Sequence, residues 1–234
     1  MLYLLFYPLH TQFSIFNVFR YLSFRIIYAS LTAFLIVFVL APPVIRKLQS
    51  YGIGQKIRED GPSHHQVKGG TPTMGGVLIL LAVVVATLLW TDLTNRYVWL
   101  AVFAMISFGA VGVWDDYLKT VRGRNQGLTA LQKIVAQAVV ALGIGALFYS
   151  LPAYSTQLSV PFFKSFSPDI GLFYIPFAVL VIVGASNAVN LTDGLDGLAA
   201  GSIIFTALTF AVIAYSAGNV KLAMSHVVPD LVLK

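Results

Sequence analysis

Long apolar runs separated by short polar connections dominate this chain. One bilayer crossing needs about 20 mainly apolar residues, and six runs of roughly that length can be read: residues 23–44, 73–90, 97–114, 129–151, 171–188 and 198–217. The pattern predicts an all-α, polytopic transmembrane bundle forming a single integral membrane domain over residues 1–234. The first run is expected to stop at Pro42-Pro43, just ahead of Arg46-Lys47, because proline has no N–H to continue a helix. Residues 1–19 are apolar but interrupted by Pro8, His10, Gln12, Ser14 and Asn17. With no basic start and no small-residue cleavage site, they read as an interfacial segment rather than a cleaved leader. Residues 152–170, with Pro152, Pro161 and Pro168 and few charges, are expected to lie along the outer interface.

Composition agrees with this reading. The chain is 58% hydrophobic and 10% charged, with mean hydropathy +0.82, whereas a soluble domain carries about 25% charged residues. There is no cysteine, which excludes thiolate metal sites and disulfides. The net charge of +6 matters less than where the basic residues lie. Arg46, Lys47, Lys56, Arg58 and Lys68 follow the first run, and Lys119, Arg122, Arg124 and Lys133 follow the third. The intervening connections hold only Arg96 and Lys164. Basic loops stay in the cytoplasm, so residues 46–72, 115–128 and 189–197 are expected on that face. Arg20 and Arg25 weakly oppose the assignment.

The acidic residues are few and concentrated. Of nine, four fall in DDYLK (115–119) and DGLDG (193–197). Asp115 and Asp116 end an apolar span, where each ionised group costs on the order of 2.5–3.5 kcal/mol at bilayer depth. On a helix they would point about 100° apart and could do different work, with Lys119 on the face of Asp115. The plain alternative is a helix-end ion pair. In NAVNLTDGLDGLAAG (187–201), two glycines free the backbone beside Asn187, Asn190, Thr192, Asp193 and Asp196. A helix follows at once, so its first N–H groups could hold an anion, or Asp196 could simply cap it. In GPSHHQVKGGTPTMGG (61–76), His65 and Lys68 precede a Gly- and Thr-rich turn able to cradle phosphate or a nucleobase. His64 and His65 are adjacent, which does not suit a zinc site.

Three of these stretches, TPTMGG (71–76), DDYLK (115–119) and NAVNLTDGLDGLA (187–199), resemble phospho-N-acetylmuramoyl-pentapeptide transferase. That enzyme is one of the polyprenyl-phosphate N-acetylhexosamine-1-phosphate transferases. The resemblance runs from about Phe16 to about Ala223 and includes VPFFK (160–164) and GLFYIPF (171–177). It implies transfer of phospho-N-acetylmuramoyl-pentapeptide from UDP-N-acetylmuramoyl-pentapeptide to undecaprenyl phosphate. The products would be lipid I and UMP, made in peptidoglycan biosynthesis with Mg²⁺ as cofactor. It further implies a multi-pass protein of the bacterial inner membrane, its site facing the cytoplasm, a possible homodimer and no nucleic-acid partner.

By motif position, the resemblance makes Asp115 and Asp116 catalytic acids and tentative metal ligands, with Lys119 and Lys133 holding phosphate charge. Asn190, Asp193, Gly194, Leu195 and Asp196 would form the nucleoside pocket, with Asn187 in support. His65, Lys68 and Thr73 would close it. The family has ten spans, a third aspartate in a Gly-Asp-x-Gly-Ser motif that is its main metal ligand, and a His-x-His loop, none of which is found here in full. The ending SHVVPDLVLK (225–234) also departs from the family pattern. The expectation is therefore an N-terminal portion of the fold, with C-terminal spans missing and little activity of its own. A transporter, in which membrane carboxylates relay ions, is the competing class. It would place acids deep within helices rather than clustered at one face.

Overall fold

A computed structural model describes residues 1–50, 74–120, 127–151, 155–158, 160, 163, 166–193 and 197–218. It is helical throughout, apart from an isolated bridge between Gln157 and Asp169. The helices are α1 (Leu2–Phe6), α2 (Leu22–Ser50), α3 (Gly76–Trp90), α4 (Arg96–Thr120), α5 (Ala130–Tyr149), α6 (Tyr174–Thr192) and α7 (Leu198–Gly218). Two 3₁₀ turns, Tyr7–Thr11 and Ser14–Arg20, join α1 to α2, and a third, Gly171–Phe173, leads into α6. Among the described residues five helical segments, rather than the six runs expected, are long and apolar enough to cross a membrane, and the chain is a multi-pass membrane protein.

The elements differ from the expectation in four places, one being α4, which runs on from residue 114 to Thr120. α2 does not stop at Pro42-Pro43 but continues through both to Ser50, which puts Arg46 and Lys47 on its last two turns rather than in a loop. Each proline deletes one i→i−4 bond, yet its fixed φ is itself helical, so the flanking turns carry the helix past. α3 has only 15 residues, about 22 Å at 1.5 Å per residue, which is short for a bilayer core of about 30 Å. It begins late because Met74, just before it, takes φ +74. α6 continues beyond residue 188 to Thr192, so Asn190 and Thr192 are helical.

The chain forms two compact units, Met1–Val140 and Ala141–Lys234. In the first unit α3 packs against both α2 and α4. Its inner face is small: Ala82 is fully buried and Ala86 nearly so. Small residues let membrane helices approach closely, and Gly109 of α4 does the same from the other side. A methyl group built there would sit 2.4 Å from Cδ2 of Leu80. The far end of α3 is latched by aromatics. The Trp90 indole N–H donates to Oγ1 of Thr32 at 2.9 Å, and its ring meets Phe19, Phe24 and Tyr28. The Met1 ammonium donates to the carbonyls of Leu88 and Leu89, at 2.7 and 3.1 Å. Those are carbonyls that a helix end leaves without intrahelical donors.

In the second unit, Gly145 of α5 lets α6 approach. A methyl there would be in ordinary contact with Ile175 and Ala178, at 3.6–3.7 Å. α7 carries Ile204, Phe205, Leu208 and Phe210 almost bare, a surface suited to lipid rather than water. The described residues of the stretch before α6 are joined by hydrogen bonds. The Leu158 N–H donates to the Pro168 carbonyl at 3.0 Å, and the Ile170 N–H donates to Thr156. Asp169 accepts from the Thr156 hydroxyl and from the Gly171 N–H at 2.9 Å.

Those two donors, the Thr156 hydroxyl first, hold the Asp169 carboxyl below its ordinary pKa. A depressed carboxylate contributes order that is complete above the unfolded pKa, about 3.9. That order is lost as pH falls through the lower folded value. Hydrogen exchange of the Gly171 and Leu158 amides, normalised for intrinsic rate, should therefore be pH-independent near neutrality and accelerate only in that acid range. In Asp169→Asn the acid transition should disappear.

Candidate active site

α4 extends unbroken through the DDYLK motif, so its two acids are helical neighbours that face different surroundings. Asp115 is buried, with 7% of its surface exposed. Its Oδ2 accepts from Lys119 Nζ at 2.6 Å, one turn on. Its Oδ1 accepts from the Leu128 N–H at 2.8 Å, reaching across from the segment before α5. The helix-end ion pair is thus present, but it is more than an ordinary surface pair. A buried carboxylate left uncompensated would be strongly destabilising, and here both oxygens are engaged.

Gly127 makes the second of these contacts possible. Its φ is +62, and a Cβ built on it would fall 2.4 Å from Oδ1 of Asp115 and 2.7 Å from Cε of Lys119. The turn then opens into α5 through a reciprocal cap. The Thr129 N–H donates to Oε1 of Gln132 at 3.1 Å, and the Gln132 N–H donates to Oγ1 of Thr129 at 3.3 Å. This capping box fixes where α5 starts and so where Lys133 stands. Lys133 and Lys119 are both close enough for their charges to act on the two carboxylates.

Asp116 faces the other way, into a cavity of about 230 Å³. Met74, Gly76 and Leu80 line the α3 side, and Gly109, Gly112 and Asp116 the α4 side. A methyl added at Gly76 or Gly112 would meet nothing within 4 Å, so these glycines leave the space open. Met74, at the mouth, holds a left-handed backbone that costs a non-glycine residue on the order of 1–2 kcal/mol. Such outliers cluster at functional sites. The end of the TPTMGG motif, Met74 and Gly76, and the second acid of DDYLK, Asp116, thus line one cavity.

In the second unit, Asn187 and Asn190 stand three residues apart on the last turns of α6, and Asn187 donates to the Val183 carbonyl at 2.9 Å. Asp193 caps the helix and is exposed. His65, Lys68, Thr73, Gly194, Leu195 and Asp196 lie outside the described residues. Reading the sequence alone overlooked Gly127 and the Leu128 amide. The signal was the Thr129–Gln132 spacing, a helix-start signature that makes the Gly-Leu before it a defined turn rather than a loose loop.

Comparison with known proteins gives a consistent result. The family model for glycosyl transferase family 4 matches residues 98–231. Signature 1 of phospho-N-acetylmuramoyl-pentapeptide-transferase matches residues 68–80. The chain is 55% identical over 223 residues to the phospho-N-acetylmuramoyl-pentapeptide-transferase of Desulforapulum autotrophicum, covering 95% of this chain and 62% of that one. It is 57% identical over 219 residues to the protein of that name from Desulfosudis oleivorans, covering 94% and 61%. The one from Pelobacter propionicus is 51% identical over 229 residues, covering 98% and 64%. The chain therefore spans a little over three-fifths of these relatives' length.

The Gly127 turn has a measurable consequence. Gly127→Ala should lower stability in detergent by about 1–3 kcal/mol, the usual cost of overpacking, in thermal or denaturant unfolding. Gly127→Asn should be no better, although asparagine tolerates positive φ. The obstacle is the atoms of Asp115 and Lys119, not the backbone angle alone.

Proposed function

Because the chain belongs to glycosyl transferase family 4, we propose that it transfers phospho-N-acetylmuramoyl-pentapeptide from UDP-N-acetylmuramoyl-pentapeptide to undecaprenyl phosphate. The observation that carries this reading is the shared cavity. Met74, Gly76 and Leu80, from the segment matching the transferase signature, face Asp116 across it. Its place at the end of α3 and α4 suits a reaction whose nucleotide substrate comes from water and whose acceptor comes from lipid. The basic connections would put that end at the cytoplasmic face of a bacterial inner membrane.

In this reaction an oxygen of the acceptor phosphate attacks the phosphorus that bears the sugar. The bond from that phosphorus to the UMP phosphate oxygen breaks, UMP leaves, and a lipid-linked diphosphate remains as lipid I. Little covalent work falls to the protein, so catalysis rests on positioning and charge neutralisation. Asp116 is the acid free to meet substrate, orienting the attacking phosphate or accepting its proton. Asp115 is held by Lys119 and the Leu128 amide, and it anchors Lys119 beside the reacting phosphates. Lys133 adds a second cation near the carboxylates. Asn187, Asn190 and Asp193, with Gly194, Leu195 and Asp196, would hold the nucleoside. His65, Lys68 and Thr73 would close over it.

The acids fit a hard cation. Mg²⁺ takes oxygen ligands, typically one or two carboxylates with phosphate and water completing its shell. Among the described residues no group of three His, Cys, Asp or Glu forms a closed cage. Asp116, the acid that faces the cavity, would hold such an ion, which would neutralise the diphosphate charge; Asp115, also expected as a ligand, has both oxygens engaged elsewhere.

The test is lipid I formation and UMP release by membranes containing the chain. Asp116→Asn should reduce turnover by at least about a hundredfold, the scale of a lost acid–base group, with unchanged helix content. Near wild-type turnover would remove Asp116 from the mechanism. A wild-type chain that makes no lipid I and binds neither substrate would overturn the transfer itself.

A further inference from the structure

At the opposite end of α3 from Asp116 lies a second cavity, of about 210 Å³. Its apolar wall is one face of α2, Leu22, Ile26 and Ala29, together with Val98 of α4. Its polar rim is Arg25, Asp92 and Asn95. Arg25 is the unusual member. Its guanidinium lies over the Tyr3 ring, 4.5 Å from the centroid, and its Nε–H is buried with no hydrogen-bond partner. A buried donor on a charged group is costly to leave unmet.

Among the described residues nothing supplies the missing acceptor. Asp92 shares the cavity and its charge acts on Arg25, but among the described residues no ion pair within 4.0 Å joins them. Its Oδ1 is already used by the N–H and hydroxyl of Thr94, at 3.0 and 2.8 Å. The Met1 ammonium nearby is engaged with α3 carbonyls. The site therefore keeps a fixed cation, the Asp92 carboxylate beside it and an adjoining apolar wall. It sits where α2 and α4 begin and α3 ends, among Tyr3, Tyr28, Trp90 and Trp99. That is the residue mix of a membrane–water boundary.

We propose that this cavity binds the headgroup of a membrane phospholipid, its phosphodiester accepting from Arg25 and its glycerol and upper acyl carbons lying on Leu22, Ile26 and Val98. A guanidinium fork matches phosphate oxygens better than an ammonium does, and the room equals that of roughly seven waters at about 30 Å³ each. The site is separate from the transfer chemistry and stands whether or not that reading holds. It also gives Arg25 a reason to lie on a face where the charge rule disfavours it.

Native mass spectrometry of the purified 234-residue chain tests this. Dioleoyl phosphatidylglycerol, the matching diacylglycerol and inorganic phosphate serve as probes. Phosphatidylglycerol should be retained by wild type and by Arg20→Ala, whose arginine is exposed. It should be retained at least tenfold less by Arg25→Ala. Should Arg25→Ala fail to fold, Arg25→Lys, which keeps the charge and stem but lacks the planar fork, should show a severalfold loss. Equal retention by the Arg25 variants would overturn the site. Diacylglycerol binding as tightly as phosphatidylglycerol, or inorganic phosphate binding while the lipid does not, would overturn the phospholipid as its occupant.

Discussion

A carboxylate buried in an apolar helical bundle has to be compensated on the spot, and the architecture around α4 follows from how this is done at Asp115. One oxygen is met by Lys119, a turn further along the same helix. The other requires a donor from elsewhere, and the Leu128 amide supplies it. That amide reaches the carboxylate only because Gly127 turns left-handed with no side chain in the way. The strap is thereby tied to the end of α4, and the Thr129–Gln132 cap then launches α5 with Lys133 in its first turns. The same commitment leaves Asp116 as the acid facing open space. Two neighbouring aspartates of identical chemistry are separated in role by which one the strap has claimed.

α3 is the second organising element. It is short and apolar, and it sits between α2 and α4, with alanines at its tightest contacts. Its ends are where the first unit becomes polar. At its start the strained Met74 and the bare Gly76 face Asp116. At its end Trp90 is latched to Thr32, and Arg25 is left with a donor to satisfy. A helix shorter than the hydrocarbon core brings polar groups at both of its ends within reach of the bilayer's boundary layers. This suits a cavity for water-borne substrate at one end and lipid contact at the other.

Residues 74–80 of the first matched region and 109–116 of the second line the same Asp116 cavity. A family match by itself says that both segments belong to the same class of protein. Their convergence around an ionisable group, with two lysines near enough to act on it, gives that match a chemical location.

Hydrophobic patterning was enough to place the helices, with ends off by up to six residues, because burying backbone polar groups in lipid leaves few alternatives to a helix. The motifs were legible for a related reason. In a chain with nine acids, a pair at the edge of an apolar run must have a purpose. The continuation of α2 through two prolines was not legible, since local propensity argues against it and only the summed bonds of the flanking turns decide it. Nor could patterning tell Asp115 from Asp116. Helical geometry says only that they diverge. Which of them is buried, and what claims its oxygens, depends on a strap twelve or more residues away and on a glycine whose role appears only where that strap returns. The amino-acid sequence by itself determined the spans and the candidate residues. The tertiary structure decided which acid is structural and which faces the cavity, because that choice is made by long-range contacts.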